Sequence, residues 1–359
     1  MTEQSAFSRG MRVLIIAASL VIIIWGINLA QSVLVSLLLA AFLAMLGTPP
    51  VLWLKRKRIH SVVAVLLVAA CMVAILLLGG AIVGASINSF YTELPVYQTR
   101  LQKQVSAFQS FLATKGIWGM DEVLLKFVNP GAVMSLTARL LAGLGSALSN
   151  IGLILLTVAF ILFEVSSFPV KLRAVLGHPR QVFPQFTRFV GDIEHYMVIK
   201  TLISLATGIL VGIWLFILGV DFPVLWGFLA FLLHYVPNIG STLAAIPAIF
   251  LAYIQLGIGR AVMAAAGYIV VNFILDNVIE TKLMGRRLEL STLVVFLSLI
   301  LWGSLLGPVG MVLCIPLTMT LKFACENNKS TQWIAVLLGP EMPTKGIPPV
   351  SKKGADPET

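Results

Sequence analysis

Charge is scarce in this chain. Of 359 residues only 11% are Asp, Glu, Lys or Arg, against 58% hydrophobic. Soluble domains carry about 25% charged residues. So few charges cannot cover so much apolar surface in water. This excludes a secreted enzyme, a disordered chain and a cytosolic oxidoreductase, and it makes lipid part of the solvent. Cysteine is nearly absent too. Cys71, Cys314 and Cys325 lie in or at the end of apolar runs, are odd in number, and form no C-x-x-C pair. Neither a disulfide framework nor a zinc site is indicated. The four histidines, His60, His178, His195 and His234, show no pair at ligand spacing. There is no G-x-x-x-x-G-K-[ST] loop, no G-x-S-x-G elbow and no H-E-x-x-H. An enzyme and an ATP-driven pump are therefore excluded, and no cofactor or metal is expected.

Long apolar runs are what remains. A spanning helix needs about 20 mostly apolar residues. Residues 11–46 hold two such helices, with a tight turn near Asn28, Gln31 and Ser32. Gly47-Thr48-Pro49-Pro50 is expected to stop the second. Residues 61–87, 144–163, 201–218 and 261–279 each read as one span. Two segments are overlong and carry a breaker at the centre. Residues 223–254 contain Pro237-Asn238-Ile239-Gly240, and residues 291–325 contain Gly307-Pro308-Val309-Gly310. Each half has about 15 residues, roughly 22 Å of helix, short for a hydrocarbon core of about 30 Å. Both read as hairpins, re-entrant or spanning as tight pairs. The fold class is thus all-α: a polytopic membrane protein of about eight helical segments, two of them broken (223–254 and 291–325), with a small outer helical region and an amphipathic cytoplasmic helix.

Basic residues set the sidedness. The net charge is +10, from 25 Lys+Arg and 15 Asp+Glu. The Lys55–Arg58 cluster and its like sit at the ends of apolar runs, which fits membrane topology rather than nucleic acid. With both termini cytoplasmic and both hairpins returning to their own side, nineteen basic residues lie inside and six outside. The six are Arg100, Lys103, Lys115, Lys126, Arg139 and Arg260. The domain plan is a three-helix membrane segment (1–85), an extracytoplasmic helical region (86–143), a membrane helix (144–165), amphipathic cytoplasmic helices (166–200), a transport core with the two hairpins (201–325), and a partly disordered cytoplasmic tail (326–359). Leu94, Leu101, Val105, Phe108 and Leu112 form a helical stripe outside, suited to a neighbouring subunit or a partner helix. Phe183, Phe186, Phe189, Val190, Ile193 and Met197 form another inside, suited to the membrane surface or a mobile bundle.

Function must come from polar groups and irregular backbone at membrane depth. The first candidate is Pro237, Asn238, Gly240 and Ser241, with Gly307, Pro308 and Gly310 of the second break. Broken helices free backbone groups that protein, water or cargo must satisfy. Asn238 and Ser241 add neutral hydrogen-bonding groups that suit a polyol; the competing reading is a plain turn at the membrane surface. The second candidate is Asn272, Asp276 and Glu280, four residues apart on one helical face, with Glu164 in the same zone. Carboxylates in membrane helices are functional or salt-bridged at the interface, and Lys282 stands beside Glu280. His195 reads as structural. Ser204/Gly208/Gly212 and Gly80/Gly84 allow close helix packing.

The strings that start at His234 carry a resemblance. His234-Tyr235-Val236-Pro237-Asn238-Ile239-Gly240-Ser241 with Ala244-Ala245-Ile246-Pro247, Leu283-Met284-Gly285-Arg286, Leu290 to Leu299, Trp302-Gly303, Leu305 to Met311 and Pro316-Leu317-Thr318 resemble the autoinducer-2 exporter family. The likeness covers nearly the whole chain and is strongest after Gly191. It implies a homo-oligomer, a pentamer, in the bacterial inner membrane. It implies export of the small hydrophilic signal autoinducer-2 by an elevator-like movement. Some family members resemble sodium(lithium)/proton antiporters, so membership fixes architecture better than cargo. Three functions stay open on the residues. One is an exporter of a small uncharged signal. Another is a cation/proton antiporter using Asp276 and Glu280, with proton or sodium as partner. The third is a non-transporting scaffold that recruits partners through its outer stripe.

Overall fold

The computed structural model describes residues 9–114, 151–165, 182–237, 239–284, 290–326 and 331–339. Asn238, the Arg286–Arg287 pair, the second half of the outer region (115–143) and the tail from residue 340 lie outside the described residues. Among the described residues every element is helical, with no strand. The chain is an all-α polytopic membrane protein. Its helices are α1 (Arg9–Leu29), α2 (Gln31–Arg56), α3 (Ser61–Thr114), α4 (Ile151–Val165), α5 (Val182–Leu218), α6 (Pro223–Leu233), α7 (Gly240–Leu256), α8 (Ile258–Asn272), α9 (Thr292–Glu326) and α10 (Gln332–Leu338). Between α8 and a last turn, Thr281–Met284, lies a π-helical segment, Phe273–Glu280. Among the described residues five stretches are long and apolar enough to cross a membrane: Gln31–Arg56, Ser61–Arg100, Phe186–Leu218, Ile258–Leu283 and Thr292–Glu326.

The last of these is folded back on itself. Gly307 has φ 66° and ψ −148°, outside the helical region. The Trp302 indole N–H donates to Thr318 Oγ1 at 3.0 Å, sixteen residues away. A straight helix would separate those residues by about 24 Å. The arms 292–306 and 308–326 are therefore the two limbs of a hairpin. The first hairpin is α6 and α7, between which residues 234–237 and 239 lie in turns and a bend. Each turn is closed by a glycine. A Cβ on Gly240 would collide with the Leu233 carbonyl, and one on Gly310 with the Trp302 carbonyl. Only glycine lets the returning limb come this near the opposite backbone.

Small residues do the same between helices. A Cβ on Gly208 would stand 2.7 Å from the Gly227 carbonyl oxygen, and one on Gly227 would stand 3.2 Å from Gly212 Cα. Thus α5 and α6 pack backbone to backbone. Gly84 has nothing within 4 Å, so at that position of the Gly80/Gly84 motif no helix among the described residues makes such an approach. The expected stop at Pro49-Pro50 is also absent, since α2 runs on to Arg56. Gly47 instead lets α2 sit against Leu162 of α4 and Met72 of α3. Thr48 Oγ1 donates to the Ala44 carbonyl at 2.8 Å, holding the turn ahead of the prolines. The helix ends where Arg58 takes a left-handed conformation, φ 65°, within the basic cluster.

Two long helices erase boundaries that polarity suggests. α3 runs unbroken through residues 85–86, and its 54 residues extend about 80 Å. α5 joins the amphipathic stretch to the span beyond Lys200 in one helix of 37 residues. Its aromatic stripe packs on protein: Phe189 stacks on Phe323 of α9 with centroids 4.2 Å apart. Ile193 and Met197 are buried in the same cluster as Leu313 and Cys314. Val190 falls off this stripe and is exposed. On the outer stripe Leu94 packs on the main core, while the side chains of Leu101, Val105, Phe108 and Leu112 lie outside the described residues. Beside Leu94, Tyr97 reaches Asp221 Oδ2 at 2.9 Å and Glu93 Oε2 at 2.8 Å, and receives a hydrogen bond from Gln255. This polar knot fastens α3 to the loop entering the first hairpin and to the end of α7.

Candidate functional site

The carboxylates picked out by spacing do come together, with partners that spacing does not reveal. Asp276 and Glu280 sit on the π segment, where Thr281 Oγ1 donates to the Asp276 carbonyl at 3.1 Å. π turns are rare and recur at functional sites. Across from them stands His234, the first residue of the first hairpin's turn and 2% exposed in its side chain. Its Nε2 lies 3.3 Å from Asp276 Oδ1 and 3.8 Å from Glu280 Oε2. From α5, Lys200 Nζ lies 3.0 Å from both Glu280 oxygens. Four ionisable groups from three elements thus meet at one point. Ile199, Tyr235 and Leu275, each adjacent in sequence to one of them, belong to one buried apolar cluster.

Burial of these charges is tolerable only because they are paired. An isolated ammonium or carboxylate in such surroundings would cost several kcal/mol. Lys200 and Glu280 satisfy one another, so the ion pair that Glu280 makes is with Lys200 rather than with Lys282. His234 Nε2 and Asp276 Oδ1 are different. Both atoms are buried and neither makes a hydrogen bond, although they lie side by side. Asn272 Oδ1, one turn before Asp276, is also buried without a hydrogen bond, and so is Ser204 Oγ, one turn after Lys200. The Asp276 side chain as a whole is 38% exposed, so the cluster opens outward along that residue.

The two breaks are placed as follows. Pro237 and Gly240 lie in and at the end of the first turn, and Ser241 is the second residue of α7. Ile239 N–H donates to the Pro237 carbonyl at 2.7 Å and Gly240 N–H to the Val236 carbonyl at 3.2 Å. Gly307, exposed Pro308 and buried Gly310 form the second tip, which lies beside Gln31 of α2. Tyr235 and Val236 of the first turn share a buried cluster with Leu299, Leu313 and Ile315 of the second hairpin. Among the described residues no hydrogen bond links one tip to the other. Glu164 is exposed near the end of α4 and does not join the ionic group.

Lys200 and His234 are the residues that sequence reasoning missed. Lys200 lies on the buried stripe, three residues after Met197 and seven after Ile193. A lysine on an apolar stripe is a signal for a buried partner. His234 offers no such sign, because its partners lie 42 and 46 positions further along the chain.

A family model described as AI-2E family transporter matches residues 14–329. The chain belongs to the AI-2E transporter family. It is similar to the AI-2 transport protein TqsA of Escherichia coli, 40% identical over 329 residues, covering 92% of this chain and 96% of the relative. It is also similar to the putative transport protein YhhT of the same species, 38% identical over 94% of this chain and 97% of the relative. A putative transport protein of Haemophilus influenzae is 36% identical, with 91% and 96% covered. The protein is a membrane transporter by family, and its matches span the helices that carry the ionic cluster and both hairpins.

Proposed function

We propose that this AI-2E transporter exports a small hydrophilic signal, autoinducer-2 or a similar polyol, across the bacterial inner membrane. The observation that carries this reading is the pair of helical hairpins broken at Pro237–Gly240 and Gly307–Gly310 and packed into one shared apolar cluster. Paired broken helices are the usual construction of cargo sites in secondary transporters. Their non-helical backbone, with Ser241 and Asn238, offers neutral donors and acceptors to a polyhydroxylated solute. That solute exchanges hydrogen bonds with water for hydrogen bonds with protein at little net change. Movement of the hairpins as a unit against α2–α4 would give alternating access of the elevator kind, in a homo-oligomer, a pentamer, with both termini cytoplasmic. The 40% identity to a relative named as an AI-2 transport protein supports the cargo class.

One observation favours a second reading, sodium(lithium)/proton antiport: Asp276, Glu280 and His234 converge on one point. Against it, the Lys200 ammonium already lies on both Glu280 oxygens, and a monovalent cation of equal charge and no nitrogen preference would have to displace it. Liposomes containing the purified protein separate the two. Labelled autoinducer-2 should move, and should still move with Asp276→Asn. Sodium or proton flux that is abolished by Asp276→Asn, with no movement of signal, would replace the exporter by the antiporter.

A further inference from the structure

We propose that His234, Asp276 and Glu280 form a binding site for a divalent transition-metal ion of the zinc or cobalt type. Each residue offers one ligand atom, and these atoms lie within 4.8 Å of one another. Bonds of about 2.0–2.2 Å to nitrogen and oxygen hold neighbouring ligands roughly 3–3.5 Å apart around such an ion. The 3.3 Å between His234 Nε2 and Asp276 Oδ1 is already that edge, and Glu280 Oε2 at 3.8 Å needs a small inward shift. The second observation is the state of the two facing atoms. His234 Nε2 and Asp276 Oδ1 are buried and adjacent, yet they are not aligned as a hydrogen bond. A cation between them would satisfy both.

The donor set selects the ion. An imidazole with two carboxylates suits zinc, cobalt, nickel, manganese or iron, whereas magnesium and calcium prefer oxygen alone. Charge permits it as well. With a neutral imidazole the two carboxylates outweigh Lys200 by one negative charge. Lys200 then acts as a competitor: its ammonium holds the same Glu280 oxygens that the ion would take. The partly exposed Asp276 supplies the way in. Because His234 belongs to the first hairpin's turn and the carboxylates to the π segment, a bound ion would tie these elements together. A ligand that binds only the conformation in which two elements meet shifts the population toward it.

The test uses the full-length protein in detergent, freed of metal with a chelator. Cobalt titration followed by visible absorption, and zinc titration by calorimetry, should each show one site per chain. His234→Gln and Asp276→Asn should each weaken binding about tenfold or more. His195→Gln, an exposed histidine elsewhere on α5, should leave it unchanged. Lys200→Met should tighten zinc binding, a gain that misfolding cannot produce. Wild-type affinity in His234→Gln or Asp276→Asn would overturn the site, as would unchanged or weaker binding in Lys200→Met.

Discussion

Lys200 and Glu280 show how one residue's environment is decided by another 80 positions away. Their side chains are 8% and 18% exposed, and each supplies what the other needs once water is gone. Removing one partner from a buried pair costs about 3–5 kcal/mol, because the other charge is stranded. Replacing both with neutral groups of similar volume is far less damaging. Lys200→Met and Glu280→Gln are each expected to lower the melting temperature of the purified protein clearly. The double variant is expected to recover most of the loss. A double variant as unstable as the sum of the single ones would mean that the two side chains act independently, and the pair would lose its assigned role. This pairing was not legible in the sequence. Lys200 reads as one more cytoplasmic basic residue and Glu280 as a neighbour of Lys282, because local spacing says nothing about which helices meet.

At the scale of elements, the breaks were legible and some of the stops were not. A breaker in the middle of an apolar run too long for one crossing points to a hairpin, and Pro237 and Gly307 both mark one. Pro49-Pro50 carries the same local signal, yet α2 continues through it, because Gly47 and Val51 are buried in packing against neighbouring helices. Tertiary packing overrode the local preference there, as it did at Lys200, where polarity changes but the helix does not. The hairpin glycines are the sharper test of this packing. A side chain at Gly310 would meet the Trp302 carbonyl, which cannot swing aside as a flexible side chain could. Overpacking of this kind costs about 1–3 kcal/mol or more. Gly310→Val and Gly240→Val should both lower the melting temperature, while Gly84→Val, with open space around it, should not. Equal losses in all three would trace the effect to valine in an apolar helix and remove the special role of the hairpin closures.

For the whole molecule, the hairpins decide which side each loop occupies. If 292–326 crossed the membrane once, its two ends would lie on opposite faces. Folded back at Gly307, with Trp302 bonded to Thr318, it brings both ends to the same face. The charge pattern demands the same arrangement. With both hairpins returning and the termini placed in the cytoplasm, the positive-inside rule would put nineteen basic residues inside and six outside. The hydrogen bond across sixteen residues establishes that the second hairpin returns; that it returns to the cytoplasmic side is the prediction drawn from lysine and arginine placement. Single-cysteine variants on a background with Cys71, Cys314 and Cys325 replaced by serine give the measurement. An impermeant thiol reagent added to intact cells should label Lys103→Cys, near the far end of α3. It should spare Lys57→Cys, Ser291→Cys and Glu326→Cys until the membrane is opened. Labelling of Ser291→Cys from outside while Glu326→Cys stays protected would place the ends of the second hairpin on opposite faces. The returning chain, and with it the paired-hairpin basis of the proposed cargo site, would then have to be abandoned.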